Sequence, residues 1–301
     1  MVDRVGVIIP TQNRPTMTAE AVQSVVEQTF SDWQLVIVDD GSTDDNRDAL
    51  RAALVDDPRV SIVETGGPVG PRRARQVGFD ALGDPDFVAI LDSDDVWLPE
   101  KLQVQTLLAE NDIEAGAVTC GHVWERADGT VRATRLGRSG TSPLLTNNMS
   151  TPLFRSEALC AAGGLAPVGL PALRTCENTE FWVRFMTAGN RVVAAEKPLV
   201  RCREHRGERE SSELGSTTAA DDLAWVLDRY RSAMRRHADD LTRLEWQVGM
   251  RYLAAGRRSK GLRHAGRALM SRPGPQHRAM LREVPFAVRA LANGTSGTGR
   301  S

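Results

Sequence analysis

Phe87-Val-Ala-Ile-Leu91 is an unbroken apolar run that ends in Asp92-Ser93-Asp94-Asp95. It has neither the 3.6-residue period of an amphipathic helix nor the alternation of a half-exposed strand, so it reads as a strand covered on both faces. Such strands belong to mostly parallel sheets flanked by helices, and this limits the fold more than any other segment of the chain. The end of the run carries a second message. Three neighbouring carboxylates repel one another unless something neutralises them, and hard oxygen donors grouped this way suit Mg2+ or Mn2+. The alternative is a solvated strand-to-helix turn in which Asp94 or Asp95 caps a helix opened by Pro99.

The first 120 residues repeat this grammar. Val5-Gly-Val-Ile-Ile9 is a strand stopped by Pro10, and Gln34–Val38 and Val60–Val63 are two more. Helices are expected over about Thr16–Gln28, from the Gly41-Ser-Thr-Asp44 turn through Leu54, over Pro71–Leu82 and over Pro99–Leu108. Strands alternating with helices of this length give an α/β, Rossmann-like, mostly parallel sheet. Ligands of such sheets bind beyond the carboxyl ends of the strands. Thr11-Gln-Asn13-Arg14, Asp39-Asp40-Gly41-Ser42 and the Asp92–Asp95 cluster all fall there.

After Gly116 the pattern loosens. Ala117–Trp124 reads as a strand, Leu136–Asn148 as a loop, Glu177–Ala188 as an amphipathic helix, and Arg191–Ala195 and Leu199–Arg203 as two short strands. Glu204–Thr218 is polar, and from about Asp221 the pattern is helical. One pair there, around Arg251–Gly256 and His264–Met270, resembles a single tetratricopeptide-like hairpin. The net charge of −1 gives no argument for a nucleic-acid partner, but it hides an asymmetry, because Arg251–Ser301 holds eleven Lys/Arg against one acid. That basic end is a candidate for contact with an anionic membrane surface or with a second copy of the chain, the bland reading being a solvated face. Cys120, Cys160, Cys176 and Cys202 show no metal or disulfide spacing. With no apolar span of membrane length and no room for a leader before the first strand, the expectation is a cytoplasmic protein, at most peripheral at the inner face of a membrane.

Several of these motifs, in order, resemble family 2 glycosyltransferases of the GT-A fold. They are Val7-Ile-Ile-Pro10-Thr11-Gln-Asn13-Arg14; Gln28-Thr-Phe-Ser-Asp-Trp33 leading into Leu35-Val-Ile-Val-Asp39-Asp40-Gly41-Ser42-Thr43-Asp44; Gly70-Pro-Arg-Arg-Ala74-Arg75-Gln76-Val-Gly78, with Gln76 where the family has Asn; and the Asp-Ser-Asp-Asp cluster. Gly163-Gly164, Glu177-Asn178-Thr-Glu180-Phe-Trp182 and Pro198-Leu-Val-Arg-Cys-Arg203-Glu-His205 follow in the family's order. The resemblance implies a glycosyltransferase domain over residues 1–215, divided into a nucleotide-sugar half (1–115) and an acceptor-side half (116–215). A helical region (216–292) and a disordered tail (293–301) would follow.

It also implies inverting transfer of a sugar from a nucleotide diphosphate, a UDP-sugar first among candidates, with Mn2+ or Mg2+ as cofactor. Asp94 would ligate the metal, and Asp92 would hold the ribose or the metal's water shell. Pro10, Thr11, Asn13, Arg14, Asp40, Arg75 and Ser93 would line the nucleotide, and His205 would touch metal or pyrophosphate. Each has a plainer alternative: Asp39 and Asp40 as turn formers, Arg72 and Arg73 as a solvated helix face, His205 as a solvated loop residue.

The acceptor (small molecule, glycan, lipid-linked glycan or peptide) is left open. So is the base, since the family's Glu-Asp pair is here Glu177-Asn178, and an amide cannot take a proton as a carboxylate does. Glu177 is the first choice and Glu180 the second; an acceptor already ionised would need neither, and loss of activity is the remaining case. A nucleotidyltransferase and a non-catalytic nucleotide-sugar-binding protein are the competing functions.

Overall fold

The computed structural model describes residues 4–54, 56–126, 128–138, 142–145, 148–171, 173, 175–203 and 216–271. The chain divides into two compact units, one of Met1–Leu170 with Ala188–Arg206 and one of Pro171–Thr187 with Gly207–Ser301.

The first unit runs β1 (Val5–Thr11), α1 (Pro15–Val26), β2 (Trp33–Asp39), α2 (Asp44–Ala53), β3 (Val60–Glu64), α3 (Pro71–Ala81), β4 (Phe87–Ile90), β5 (Asp95–Trp97), α4 (Lys101–Asn111), β6 (Ala115–Glu125), β7 (Val131–Arg135), β8 (Leu153–Arg155), α5 (Ser156–Ala161) and, after the other unit's helix, β9 (Arg191–Arg203). The sheet order is β3-β2-β1-β4-β8-β6-β9-β5, with β7 on β6. β3, β2, β1 and β4 are parallel neighbours, as are β6 and β9, whereas β8, β5 and β7 pair antiparallel. The unbroken apolar strands are covered on both faces. Val7, Ile9, Leu35, Ile37, Ala89 and Leu91 share a core with Ala21, Val22 and Val25 of α1, while α3 lies close to the alternate residues. A Cβ on Gly78 of α3 would stand 2.4 Å from Ile8 and 2.9 Å from Val38. That glycine therefore sets how near α3, and the Arg75 it carries, comes to the strand ends.

The topology brings the carboxylate cluster into a fold of the sheet. β4 and β5 lie four places apart in the strand order, about 19 Å on a flat sheet. Five residue steps fully extended would span at most about 18 Å, and the link is turned, with Asp95 N–H donating to the Asp92 carbonyl at 3.0 Å. The sheet must curl, with Asp92–Asp94 at the closure.

Three expectations need correcting. Pro10 lies inside β1, paired with Val38; the ladder to β4 reaches only Ile8, so a residue without an N–H sits where one side of the strand is unpaired. Asp95–Trp97 is a strand on β9, and the helix that follows starts at Lys101 with Glu100 as its N-cap, so neither Asp94 nor Asp95 caps it. Arg191–Arg203 is one strand with register shifts opposite Cys120–His122, where two had been expected.

α4 buries an unusual group. Lys101 is 0% exposed; its Nζ lies 4.0 Å from the Trp97 ring centre and donates to Gln105 Oε1 at 2.7 Å. Burial pulls its ammonium down to about 8 from 10.5. The unfolded chain holds this proton more tightly, so the folded state is disfavoured below pH 8 and regains stability as pH rises through 8 to 10.5. Lys101→Met should remove that slope: the stability of wild type relative to the variant should rise by about 3 kcal/mol across this window, read from urea titrations at pH 7.5 and 10.5. A difference independent of pH would refute the assignment.

In the second unit α6 (Glu177–Thr187) groups with α7 (Thr217–Tyr230), α8 (Ala238–Ala254) and α9 (Arg258–Leu269). α8 and α9 form the hairpin the sequence suggested, joined at Ala255–Arg257. Gly249 and Gly261 permit its close packing, since a Cβ on Gly249 would meet Ala265 N at 2.8 Å. Among the described residues no helix is long and apolar enough to cross a membrane. The polar segment from Glu204, the tail and most of the basic C-terminal stretch lie outside the described residues.

Candidate donor and metal site

The carboxyl ends of β1, β2 and β4 meet at one edge of the first unit. Thr11 pairs with Asp39, Asp40 N–H donates to the Thr11 carbonyl at 2.8 Å, and Leu91 N–H donates to the Ile8 carbonyl at 2.9 Å. The side chains there divide into those that build the edge and those that line it.

Thr11 builds it. Thr18 Oγ1 donates to the Arg14 carbonyl at 2.8 Å. The 2.6 Å contact between the two buried threonine hydroxyls must therefore take its proton from Thr11. Asn13 is the one described non-glycine residue at positive φ, +53°, a conformation asparagine tolerates. Its backbone N–H donates to Ser42 Oγ at 2.9 Å, and its Oδ1 accepts from Thr43 N–H at 2.9 Å and Asn46 Nδ2 at 3.3 Å. Asn13 thus ties the loop after β1 to the loop after β2. Asp39 Oδ1 accepts from Ser42 N–H at 2.9 Å, closing the turn expected of it, and its Oδ2 is buried with no partner among the described residues. Asp40 is 6% exposed; its two oxygens accept from Val69 N–H at 2.7 Å and Gly70 N–H at 2.9 Å. Those bonds fix the carboxylate and hold the loop before α3 beneath it.

The cluster after β4 is lined by arginines. Arg75 is 6% exposed and its Nη2 donates to Asp92 Oδ1 at 2.8 Å. Arg14 Nη1 reaches Asp94 Oδ2 at 3.1 Å. Asp95 turns inward: burial, with the charges of Asp92 and Asp94 added, pushes its carboxyl up to about 8, while Ser150 and Cys202 hydrogen-bond to it. At neutral pH, with no cation beside it, it is mainly protonated. Ser93 is buried beside it. Pro10 stands at the end of β1, against Val38.

Ser150 is a contributor that sequence reasoning missed. Its Oγ accepts from Asp92 N–H at 3.1 Å, and its carbonyl accepts from Trp97 Nε1 at 3.0 Å. Gln76 is another: its Oε1 accepts from Leu165 and Ala166 N–H at 2.7 and 2.9 Å, tethering the turn after Gly164 to α3. The motif position next to Arg75 was the available signal for Gln76; Ser150 lies in a Ser/Thr/Asn stretch with no period to mark it.

No group of three or more His, Cys, Asp or Glu among the described residues is arranged to hold a metal alone. The donor set fits a different kind of site. Asp92 and Asp94 offer hard oxygens on one turn, and Mg2+ or Mn2+ is commonly held by one or two carboxylates with substrate phosphates completing the shell. His205 lies outside the described residues.

The acceptor-side candidates belong to the second unit. Glu177 and Asn178 open α6 and are partly exposed. Glu180 is 0% exposed, and its Oε1 accepts from Arg184 Nε at 3.0 Å and Tyr230 OH at 2.6 Å. That geometry makes Glu180 a core group of its unit, and burial with Glu180 alongside pushes the Tyr230 phenol up to about 12. Burial, with Asp222 nearby, pushes the Cys176 thiol up to about 12, leaving it inert at neutral pH.

Comparison with known proteins agrees with this architecture. The model of glycosyl transferase family 2 matches residues 6–164, and the chain belongs to that family. It is 36% identical over 110 residues to an uncharacterized glycosyltransferase of Rickettsia conorii, covering 36% of this chain and 18% of that protein. It is 30% identical over 110 residues to the UDP-Glc:alpha-D-GlcNAc-diphosphoundecaprenol beta-1,3-glucosyltransferase WfgD of Escherichia coli, covering 36% and 42%. The match thus spans less than half the length of these curated relatives. Among solved structures it shares its fold with Staphylococcus aureus TarS 1-349 in complex with UDP-GlcNAc (TM-score 0.60, 16% identity, 88% and 90% of the two chains). It shares it also with a mannosyltransferase from Pyrobaculum calidifontis in complex with GDP-Man and Mn2+ (TM-score 0.58, 18% identity, 99% and 89%). The fold is that of GT-A glycosyltransferases.

Proposed function

We propose that the chain is an inverting glycosyltransferase that moves a sugar from a nucleotide diphosphate, a UDP-sugar before others, to an acceptor hydroxyl or similar nucleophile. The observation that carries this reading is the meeting of Asp40, the Arg75–Asp92 pair and the Arg14–Asp94 pair at one strand edge. Asp40, fixed by two backbone N–H groups, is suited to accept a hydrogen bond from a pyrimidine N–H. Pro10, Thr11, Asn13 and Ser93 shape the nucleotide's bed, and Asp92 takes the ribose or the metal's water shell. Arg75 meets a phosphate with directed N–H donors. Asp94, with His205 as a second candidate, holds the divalent ion. Bound there, Mn2+ or Mg2+ supplies positive charge for the departing nucleoside diphosphate.

Domain roles follow the sequence: residues 1–115 bind the donor, 116–215 face the acceptor, and 216–292 shape the acceptor side. The acceptor class to try first is a lipid-linked glycan, the kind named for the Escherichia coli relative, with the basic C-terminal region at the membrane surface.

Incubating the protein with UDP-, GDP- and dTDP-sugars and Mn2+, without acceptor, is the test. Slow release of nucleoside diphosphate is expected. With pyrophosphate added, conversion to a sugar phosphate and a nucleoside triphosphate would instead make it a nucleotidyltransferase, and binding without turnover, here and in further incubations with acceptors, would make it a non-catalytic binder, the reading that Asn178 favours.

A further inference from the structure

We infer that Arg14 is a placeholder for the divalent cation, holding Asp94 while the cation is absent and passing to the anionic diphosphate once the cation has replaced it. The inference rests on the donor-site reading above and goes beyond it by giving the two arginines of the cluster different tasks.

Both carboxylates are already paired with a guanidinium, but not in the same way. Arg75 stands on α3, its side chain 8% exposed, and its contact with Asp92 is 2.8 Å. A guanidinium that has lost most of its water is costly to separate from the carboxylate it pairs with, and it stays where it is. Arg14 reaches Asp94 through one contact of 3.1 Å with its side chain 40% exposed and that of Asp94 22% exposed. An ion pair in that setting is weak, because water screens it and a long side chain must be held in one rotamer.

The backbone beneath Arg14 is the reverse of loose. Asn13 at φ +53° is bonded to Ser42, Thr43 and Asn46. The Arg14 carbonyl accepts from Thr18 N–H at 2.9 Å and Thr18 Oγ1 at 2.8 Å. Only the side chain of Arg14 is therefore free to change position, swinging from a fixed root. A divalent ion and a guanidinium carry charge of the same sign and compete for Asp94 Oδ2. The double charge on a compact ion prevails once phosphate oxygens complete its shell. The displaced guanidinium then finds new negative charge within its own reach, on the diphosphate that arrives with the ion. Asp92 keeps its buried arginine throughout, so the cluster exchanges one cation and retains the other.

The placeholder predicts effects of opposite sign from one substitution, which a structural role would not produce. In the full-length protein without nucleotide, free Mn2+ measured by electron paramagnetic resonance should show Arg14→Met binding the ion about twofold to fivefold more tightly than wild type, the range a partly exposed ion pair supplies. With Mn2+ saturating, the same variant should bind UDP about tenfold more weakly in calorimetry, through loss of a charge-assisted contact. Arg14→Lys, which keeps the charge, should stay near wild type in both. Arg14→Met binding Mn2+ no more tightly than wild type, or not at all, overturns the placeholder. If Asp94→Asn still abolishes Mn2+ binding in that case, the donor-site reading survives it; if no variant and no wild-type protein binds Mn2+ even with UDP present, both fall together.

Discussion

Asp94→Ala should abolish metal-dependent binding of the donor and lower turnover by about 10³-fold, the order of effect seen when a group stabilising transition-state charge is removed. The size follows from the site's electrostatics. The departing nucleoside diphosphate must be neutralised as it leaves, and Asp94 meets only a partly exposed guanidinium in Arg14, at 3.1 Å, on the turn after β4. Asp92 is tied to the buried Arg75 at 2.8 Å. Asp95 is buried and pushed up to about 8, so Asp95→Asn should leave Mn2+ affinity within a few-fold of wild type. Calorimetry with a nucleoside diphosphate, with and without Mn2+, separates the cases. In the Asp94→Ala protein the Mn2+-dependent part of the affinity should vanish while the weak metal-independent part remains. An unchanged rate and an unchanged response to Mn2+ would sink the metal assignment.

The parallel half of the sheet was legible because its strands are apolar without interruption. Val5–Ile9, Gln34–Val38 and Phe87–Leu91 can only be strands covered on both faces, and their ends carry the polar motifs. What escaped was structure whose cause lies far away in the chain. Asp95-Val-Trp97 is three residues long and becomes a strand only because β9 lies beside it. Val131–Arg135 is exposed at every position and shows no alternation to detect. Pro10 looked like a terminator because the sequence does not reveal that β4 stops pairing two residues earlier. In the candidate site, Asp40 and Arg75 were expected from the family resemblance, and both lie at the carboxyl edge of the sheet, hydrogen-bonded to the loop before α3 and to Asp92. The division of the carboxylates into one paired with a buried arginine, one paired with an exposed arginine and one mainly protonated required their surroundings. Ser150, which helps set that division, sits 58 residues from Asp92.

Glu177→Gln should lower kcat by about 10²-fold or more with little change in KM for the donor, the usual contribution of a general base. The choice between the two carboxylates at the start of α6 is made by burial. Glu180 is 0% exposed, its Oε1 accepting from Arg184 and Tyr230, which places it in the core of its unit and makes it the weaker candidate for the base. Replacing it should cost stability first. Glu177 opens the helix and is partly exposed, one position before Asn178, where family relatives place an Asp. On the proposed reading, a carboxylate at either position of this turn could take the proton, and Glu177 is the one this chain carries. The double variant Glu177→Gln with Asn178→Asp should then recover part of the lost rate, and the acidic limb of its kcat–pH profile should reappear. A near-native rate in Glu177→Gln alone would mean that the nucleophile arrives already ionised, as a thiolate or carboxylate acceptor would, and that Asn178 marks an enzyme whose acceptor needs no base.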